Sequence, residues 1–116
     1  MNLTRFELIE LPSYLKSIKK LKKRFRNVKD DIDNFFENDV SSIDDLGIKI
    51  HENIYKVRIK NSNKSVGKSG GYRLISYIEI SENRINLLYI YDKSDLSNIS
   101  DKQLDKIVVD SFNLYN

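Results

Sequence analysis

Ile54-Tyr55-Lys56-Val57-Arg58-Ile59-Lys60 alternates between two faces of an extended chain, with Tyr55, Val57 and Ile59 on one side and Lys56, Arg58 and Lys60 on the other. Working backwards, 38–53 is an Asp- and Ser-rich connection around Gly47 with a short strand at Ile48 to Ile50. Before it the apolar period is helical. Val28, Ile32, Phe35 and Phe36 form the stripe of one amphipathic helix, and Tyr14, Ile18, Leu21 and Phe25 that of another, with Ser13 as its cap. The switch from period 3.6 to period two at Ile54 therefore divides the chain into a helical hairpin and a sheet. Leu3, Phe6 and Leu8 alternate with polar residues ahead of Pro12 and predict a short first strand.

Working forwards, the run Val66-Gly67-Lys68-Ser69-Gly70-Gly71-Tyr72-Arg73 separates the strand at Ile54 from one at about 72–80. A polar turn, Ser81-Glu82-Asn83-Arg84, leads to Ile85-Asn86-Leu87-Leu88-Tyr89-Ile90-Tyr91, which is apolar on both faces and so is placed centrally. Ser100 and Gln103 have capping-box spacing ahead of Leu104, Ile107, Val108 and Phe112, the mark of a last helix. The predicted fold is α+β in one domain, residues 1–116: an N-terminal helical hairpin on a small twisted, mostly antiparallel sheet, with a C-terminal helix over or beside it.

Composition narrows the chemistry. With no cysteine and His51 as the only histidine, neither a disulfide nor a thiolate metal site is available, and no cofactor is expected. His51 itself reads as a surface or strand-end residue. No signal peptide or long apolar run is present, which predicts a soluble, cytoplasmic protein with no membrane partner. The net charge of +3 conceals blocks of +7 (1–29), −7 (30–53), +5 (54–94) and −2 (95–116). Basic concentration of this kind suits a polyanion such as nucleic acid.

Three of the four glycines fall within Gly67 to Gly71. Glycine lets backbone N–H groups approach a ligand closely, and Lys68 with Arg73 beside such a loop points to phosphate. A nucleotide P-loop is excluded by spacing: Gly67-Lys68-Ser69 matches its end, but its first glycine would fall at Ser62, and a strand rather than a helix follows. Lys56, Arg58, Lys60, Lys64, Lys68, Arg73 and Lys93 converge on one end or face of the sheet, a repulsive cluster that a polyanion would neutralise. Tyr55, Tyr72, Tyr77, Tyr89 and Tyr91 are interleaved with them, as suits single-stranded bases that stack while their phosphates pair, although core or cross-strand packing is the better account of each tyrosine taken singly.

The segments Ile54-Tyr55-Lys56-Val57-Arg58-Ile59, Gly67-Lys68-Ser69-Gly70-Gly71-Tyr72-Arg73-Leu74-Ile75 and Leu87-Leu88-Tyr89-Ile90-Tyr91-Asp92-Lys93-Ser94 resemble the RelE/ParE superfamily of bacterial toxins, and most of all its HigB-like branch. The resemblance implies the toxin of a type II toxin–antitoxin system. It would be a ribosome-dependent mRNA endoribonuclease that inhibits translation, acts without metal, and is neutralised by an antitoxin encoded beside it. It also implies that Lys56 and Arg58 occupy two basic strand positions and Arg73 the arginine after the Gly-Tyr pair. A second catalytic arginine of the family corresponds to Ser94, and a C-terminal tyrosine falls near Ser100, so Tyr91 or Lys93 would substitute. The catalytic candidates are Lys56, Arg58, Lys68, Arg73, Tyr91 and Lys93. Crowding by cations lowers a lysine pKa, which suits Lys56, Lys68 or Lys93 to proton transfer while Arg58 and Arg73 hold phosphate. Lys60, Lys64, Tyr72, Lys19, Lys22 and Lys23 are expected to bind RNA. Two alternatives stay open: a ParE-like, non-enzymatic gyrase inhibitor, and an RNA-binding domain with a degenerate site.

Overall fold

The computed structural model describes residues 5–65 and 67–112. Leu3, expected in the first strand, lies outside them. The order is β1 (Glu7–Glu10), α1 (Pro12–Lys22), α2 (Val28–Asn38), β2 (Ile48–His51), β3 (Ile54–Ile59), β4 (Tyr72–Glu79), β5 (Arg84–Asp92) and α3 (Asp101–Phe112), with a short 3-10 turn at Ile43–Leu46 and another at Lys68–Gly70. The five strands form one sheet in the order β1-β5-β4-β3-β2, antiparallel except that β1 runs parallel to β5. This is the expected α+β architecture. The apolar strand β5 is interior, as expected, but the middle of the sheet is β4.

The hairpin and the last helix cover opposite faces, and strand alternation sorts the side chains between them. Tyr72, Leu74 and Ile78 of β4 join Ile59 of β3 and Ile85, Leu87 and Ile90 of β5 in a core with Tyr14, Leu21, Val28, Ile32 and Phe35 of the hairpin. Ile54, Ile75, Leu88 and Tyr91 face the other way, against Ile99 and Leu104. A register shift between Ile75 and Ser76 puts Leu88 and Tyr89 together on that second side. Ser100 and Gln103 cap α3 reciprocally: the Ser100 N–H donates to Gln103 Oε1 at 2.9 Å and the Gln103 N–H to Ser100 Oγ at 3.1 Å.

Helix α1 departs from the expectation at both ends. Pro12, with its fixed φ and missing N–H, takes the first helical position, so Ser13 lies inside the helix and does not cap it. Its hydroxyl donates instead to Leu88 O at 2.6 Å, and Ser17 Oγ accepts the Ile90 N–H at 3.1 Å. These two serines satisfy backbone groups of β5 just beyond the point where β1 stops pairing with it, so α1 covers an edge that would otherwise be bare. The helix ends at Lys22, and Phe25 is buried in the following turn. Lys19, Lys20 and Lys22 crowd the C-terminal turn of α1 while Asp30 and Asp31 open α2, so part of the charge segregation complements the two helix dipoles.

Two glycines are required by close approach. A Cβ at Gly71 would lie 2.2 Å from the Ile59 carbonyl oxygen, and one at Gly47, whose φ is +97°, 2.0 Å from that of Lys56; at Gly67 nothing lies within 4 Å. Gly71→Ala is therefore expected to destabilise the protein by about 2 kcal/mol and Gly67→Ala by less than about 0.5 kcal/mol, as read from urea unfolding midpoints. Equal midpoints would refute the packing account of the loop.

Candidate functional site

The alternation of β3 and β4 assembles a cationic basin on the face that carries α3. Arg58 pairs with Arg73 across the β3–β4 ladder, and Lys56 with Ile75 two residues along. Lys93 follows β5, and the connection to α3 brings Ser97 and Asn98 to the rim. Lys56, Arg58, Arg73 and Lys93, with Gly47, Ile48, Val57, Ser97 and Asn98, line a cavity of about 600 Å³, and no carboxylate is among the residues lining it. Asp92, outside the basin, favours the charged form of Arg73, but among the described residues no carboxylate lies within it.

Arg73 is only 4% exposed. Its guanidinium donates to Ser69 O at 2.8 Å, Lys68 O at 3.2 Å and Tyr72 O at 3.3 Å, so the glycine-rich turn folds around it. A guanidinium has five N–H donors, so at least two are not used by these carbonyls. Burial and the neighbouring Arg58 lower its pKa, which leaves it charged but disfavoured as a cation. Lys56 is shifted the same way, first by burial and then by Arg73, Lys93 and Arg58, while its ammonium donates to Asn98 Oδ1 at 2.9 Å. Lys93 Nζ donates to Ser97 O at 2.5 Å.

The remaining candidates are dispersed. Lys60 and Lys68 line a separate cavity of about 220 Å³ with Asp31 and Asp39, joined to the basin only through Arg58. Lys64 is turned inward onto Asp92. Asp92 has no exposed side-chain surface, and it accepts from Lys64 Nζ at 2.5 Å, Asn61 Nδ2 at 3.1 Å, the Ser94 N–H at 3.0 Å and the Ser94 hydroxyl. Burial raises its carboxyl, but these donors outweigh burial and hold it below the ordinary carboxylate range. Tyr91 is buried opposite Arg73 and lines a neighbouring cavity of about 370 Å³ with Lys20, Arg24 and Tyr89, its hydroxyl unpartnered among the described residues. Burial keeps that phenol protonated, with its pKa raised despite Arg73.

Tyr72 corrects the expectation that it stacks on a base. It is 0% exposed and packs edge-on against Phe25, because the alternation that aims Arg73 at the basin aims its neighbour into the hairpin-side core. Lys19 and Lys22 open onto a groove on that same side, and Lys23 follows the end of α1. His51 ends β2 exposed, as expected. Asn98 was missed by the sequence reading: an asparagine in a polar connection carries no signal until the fold sets it against Lys56.

A family model described as the RelE toxin of the RelE/RelB toxin–antitoxin system matches residues 16–110. An arginine-substituted form of the E. coli toxin RelE in the free state shares the fold at a TM-score of 0.53, with 14% identity and 100% of each chain covered. The isolated E. coli RelE toxin in a crystal gives 0.50 with 15% identity over 89% of this chain and 96% of that one. No curated protein sequence is significantly similar. No helix among the described residues is long and apolar enough to cross a membrane.

Proposed function

This chain belongs to the RelE toxin family, which implies a cognate antitoxin, and from that premise we propose that it is a metal-independent endoribonuclease that cuts mRNA on the ribosome and so arrests translation. The observation that carries the proposal is the basin: Lys56, Arg58, Arg73 and Lys93 in one cavity with no carboxylate in its lining. The motif run Gly67 to Arg73 and the Tyr91-Asp92-Lys93-Ser94 segment support the finer reading as a HigB-like member.

In the proposed reaction the ribose 2′-oxygen attacks the adjacent phosphorus and gives up its proton, the P–O5′ bond breaks, and the departing 5′-oxygen takes up a proton. The products are a 2′,3′-cyclic phosphate and a 5′-hydroxyl. Arg73 and Arg58 supply forked donors to the phosphorane oxygens, whose negative charge grows in the transition state. Lys56 and Lys93 form the proton-transfer pair. The burial and neighbouring cations that depress Lys56 bring its neutral form nearer to working pH, as a base requires, and leave its ammonium a stronger acid.

The decisive assay incubates purified protein with mRNA, with ribosomes in magnesium buffer and without ribosomes in EDTA, and analyses the fragment ends. Cleavage to cyclic-phosphate ends is expected. Absence of cleavage in both arms, with inhibition of gyrase supercoiling, would establish the non-enzymatic alternative. The pH profile supplies a further prediction. Lys93→Met removes one of the charges that depress Lys56, so the limb of the rate profile governed by Lys56 is expected to move to higher pH. An unmoved limb would remove Lys56 from the proton-transfer pair.

A further inference from the structure

Ile48 is 66% exposed, more than any other large apolar side chain among the described residues, and it lines the cationic basin. Its position is built rather than incidental. Gly47, lacking a Cβ, lies hard against the Lys56 carbonyl, which fixes the start of β2 on β3, and the register then pairs Ile48 with Lys56. Two residues on, Ile50 points to the same face and is taken into the apolar cluster beneath α3, whereas Ile48 stands over the part of the basin α3 leaves open.

We propose that Ile48 is the platform for a nucleobase, namely the base attached to the phosphate that the basin holds. The inference rests on the reading of the basin as an RNA site and adds the base contact that the cations do not provide. The basin wall thus offers a ligand four cations, one uncovered β-branched side chain, and the amide of Asn98 at the rim. Inorganic phosphate would neutralise the cations and leave Ile48 in water. A nucleotide carries an anion and a flat apolar face one sugar apart, and a basin of about 600 Å³ is large enough to take it. The two arginines favour phosphate over the carboxylates of an acidic peptide only modestly, so that peptide becomes an arm of the test.

The experiment uses the full chain and measures fluorescence-anisotropy titrations with three probes: a short single-stranded RNA made uncleavable by 2′-O-methylation, an abasic ribose-phosphate oligomer of equal length, and an acidic leucine-containing peptide. Ile48→Ser, an exposed edge-strand change, is expected to weaken RNA binding about fivefold to tenfold and to leave the abasic oligomer within about twofold. Ile48→Phe, with a larger flat surface, is expected to bind the RNA at least as tightly as the native chain. Equal losses on both oligomers, no loss on either, or a loss confined to the peptide would each overturn the assignment. If the native chain cleaves RNA while Ile48→Ser binds it unchanged, the platform alone fails; if the native chain binds neither oligomer the platform fails too, and the reading of the basin fails with it when the ribosome arm also shows no cleavage.

Discussion

Arg73→Ala is expected to lower RNA cleavage by about 100- to 1,000-fold, the range for removing one preorganised donor from a developing oxyanion. The site explains both the size of the loss and its selectivity. The side chain is 4% exposed and held by three backbone carbonyls, so its remaining donors reach a phosphate with little orientation left to fix. It is also disfavoured as a cation by burial and by Arg58. A buried, repelled guanidinium is a poor investment in stability alone, so its removal is expected to change the unfolding free energy by no more than about 1 kcal/mol, because the relieved repulsion offsets the lost hydrogen bonds. Arg73→Lys should restore only part of the rate, since one ammonium cannot span the turn carbonyls and a phosphate together. Rates come from single-turnover cleavage and stability from urea titration. An alanine variant that is folded and within tenfold of native activity would move the phosphate contact elsewhere.

The basin was legible in the sequence because alternation is a local rule. Once Lys56-Val57-Arg58 reads as a strand, its cations share a face, and a hairpin partner that begins near Tyr72 puts Arg73 within one ladder step. The capping box at Ser100 and Gln103 is equally local, needing only a spacing of three. What escaped the sequence depends on distance or on which face is which. Tyr72 and Arg73 are both plausible RNA contacts until the hairpin is known to cover one side of β4, and then only one of them can be. Lys64 reads as one more free cation in a basic loop because its partner, Asp92, lies 28 positions away at the end of β5. Ser13 had the right composition for a cap and lost the role to Pro12, whose ring already satisfies the geometry of a first helical turn.

The pairing that escaped the sequence carries the largest expected change in stability. Lys64→Met removes the only cation bonded to Asp92 among the described residues, leaving a carboxylate with no exposed surface. Breaking one side of such a pair costs about 3–5 kcal/mol, a large share of the total stability of a domain this size. Asp92→Asn should cost less, about 1–2 kcal/mol, because Lys64 keeps 23% of its side-chain surface exposed and can turn its ammonium to water. Acidification is expected to reduce the deficit of both variants. In the native chain the Asp92 pKa lies below its ordinary 3.8, so its contribution is complete above that pH and is lost as pH falls through the lower folded value. The deficit of Asp92→Asn should therefore shrink below about pH 4. In Lys64→Met the loss of the largest donor raises the carboxyl pKa above its native folded value, so the deficit should shrink as pH falls through that raised value. The consequence reaches the basin, because Lys64 also donates to Gly70 O at 3.3 Å, at the base of the turn whose Lys68 and Ser69 carbonyls grip Arg73. Lys64→Met is thus expected to slow cleavage even at temperatures where urea titration shows it folded. A variant of native stability across pH 3–8 would mean that the Asp92 charge is satisfied by Asn61 and Ser94 alone, and the loop would have to owe its shape to Arg73 instead.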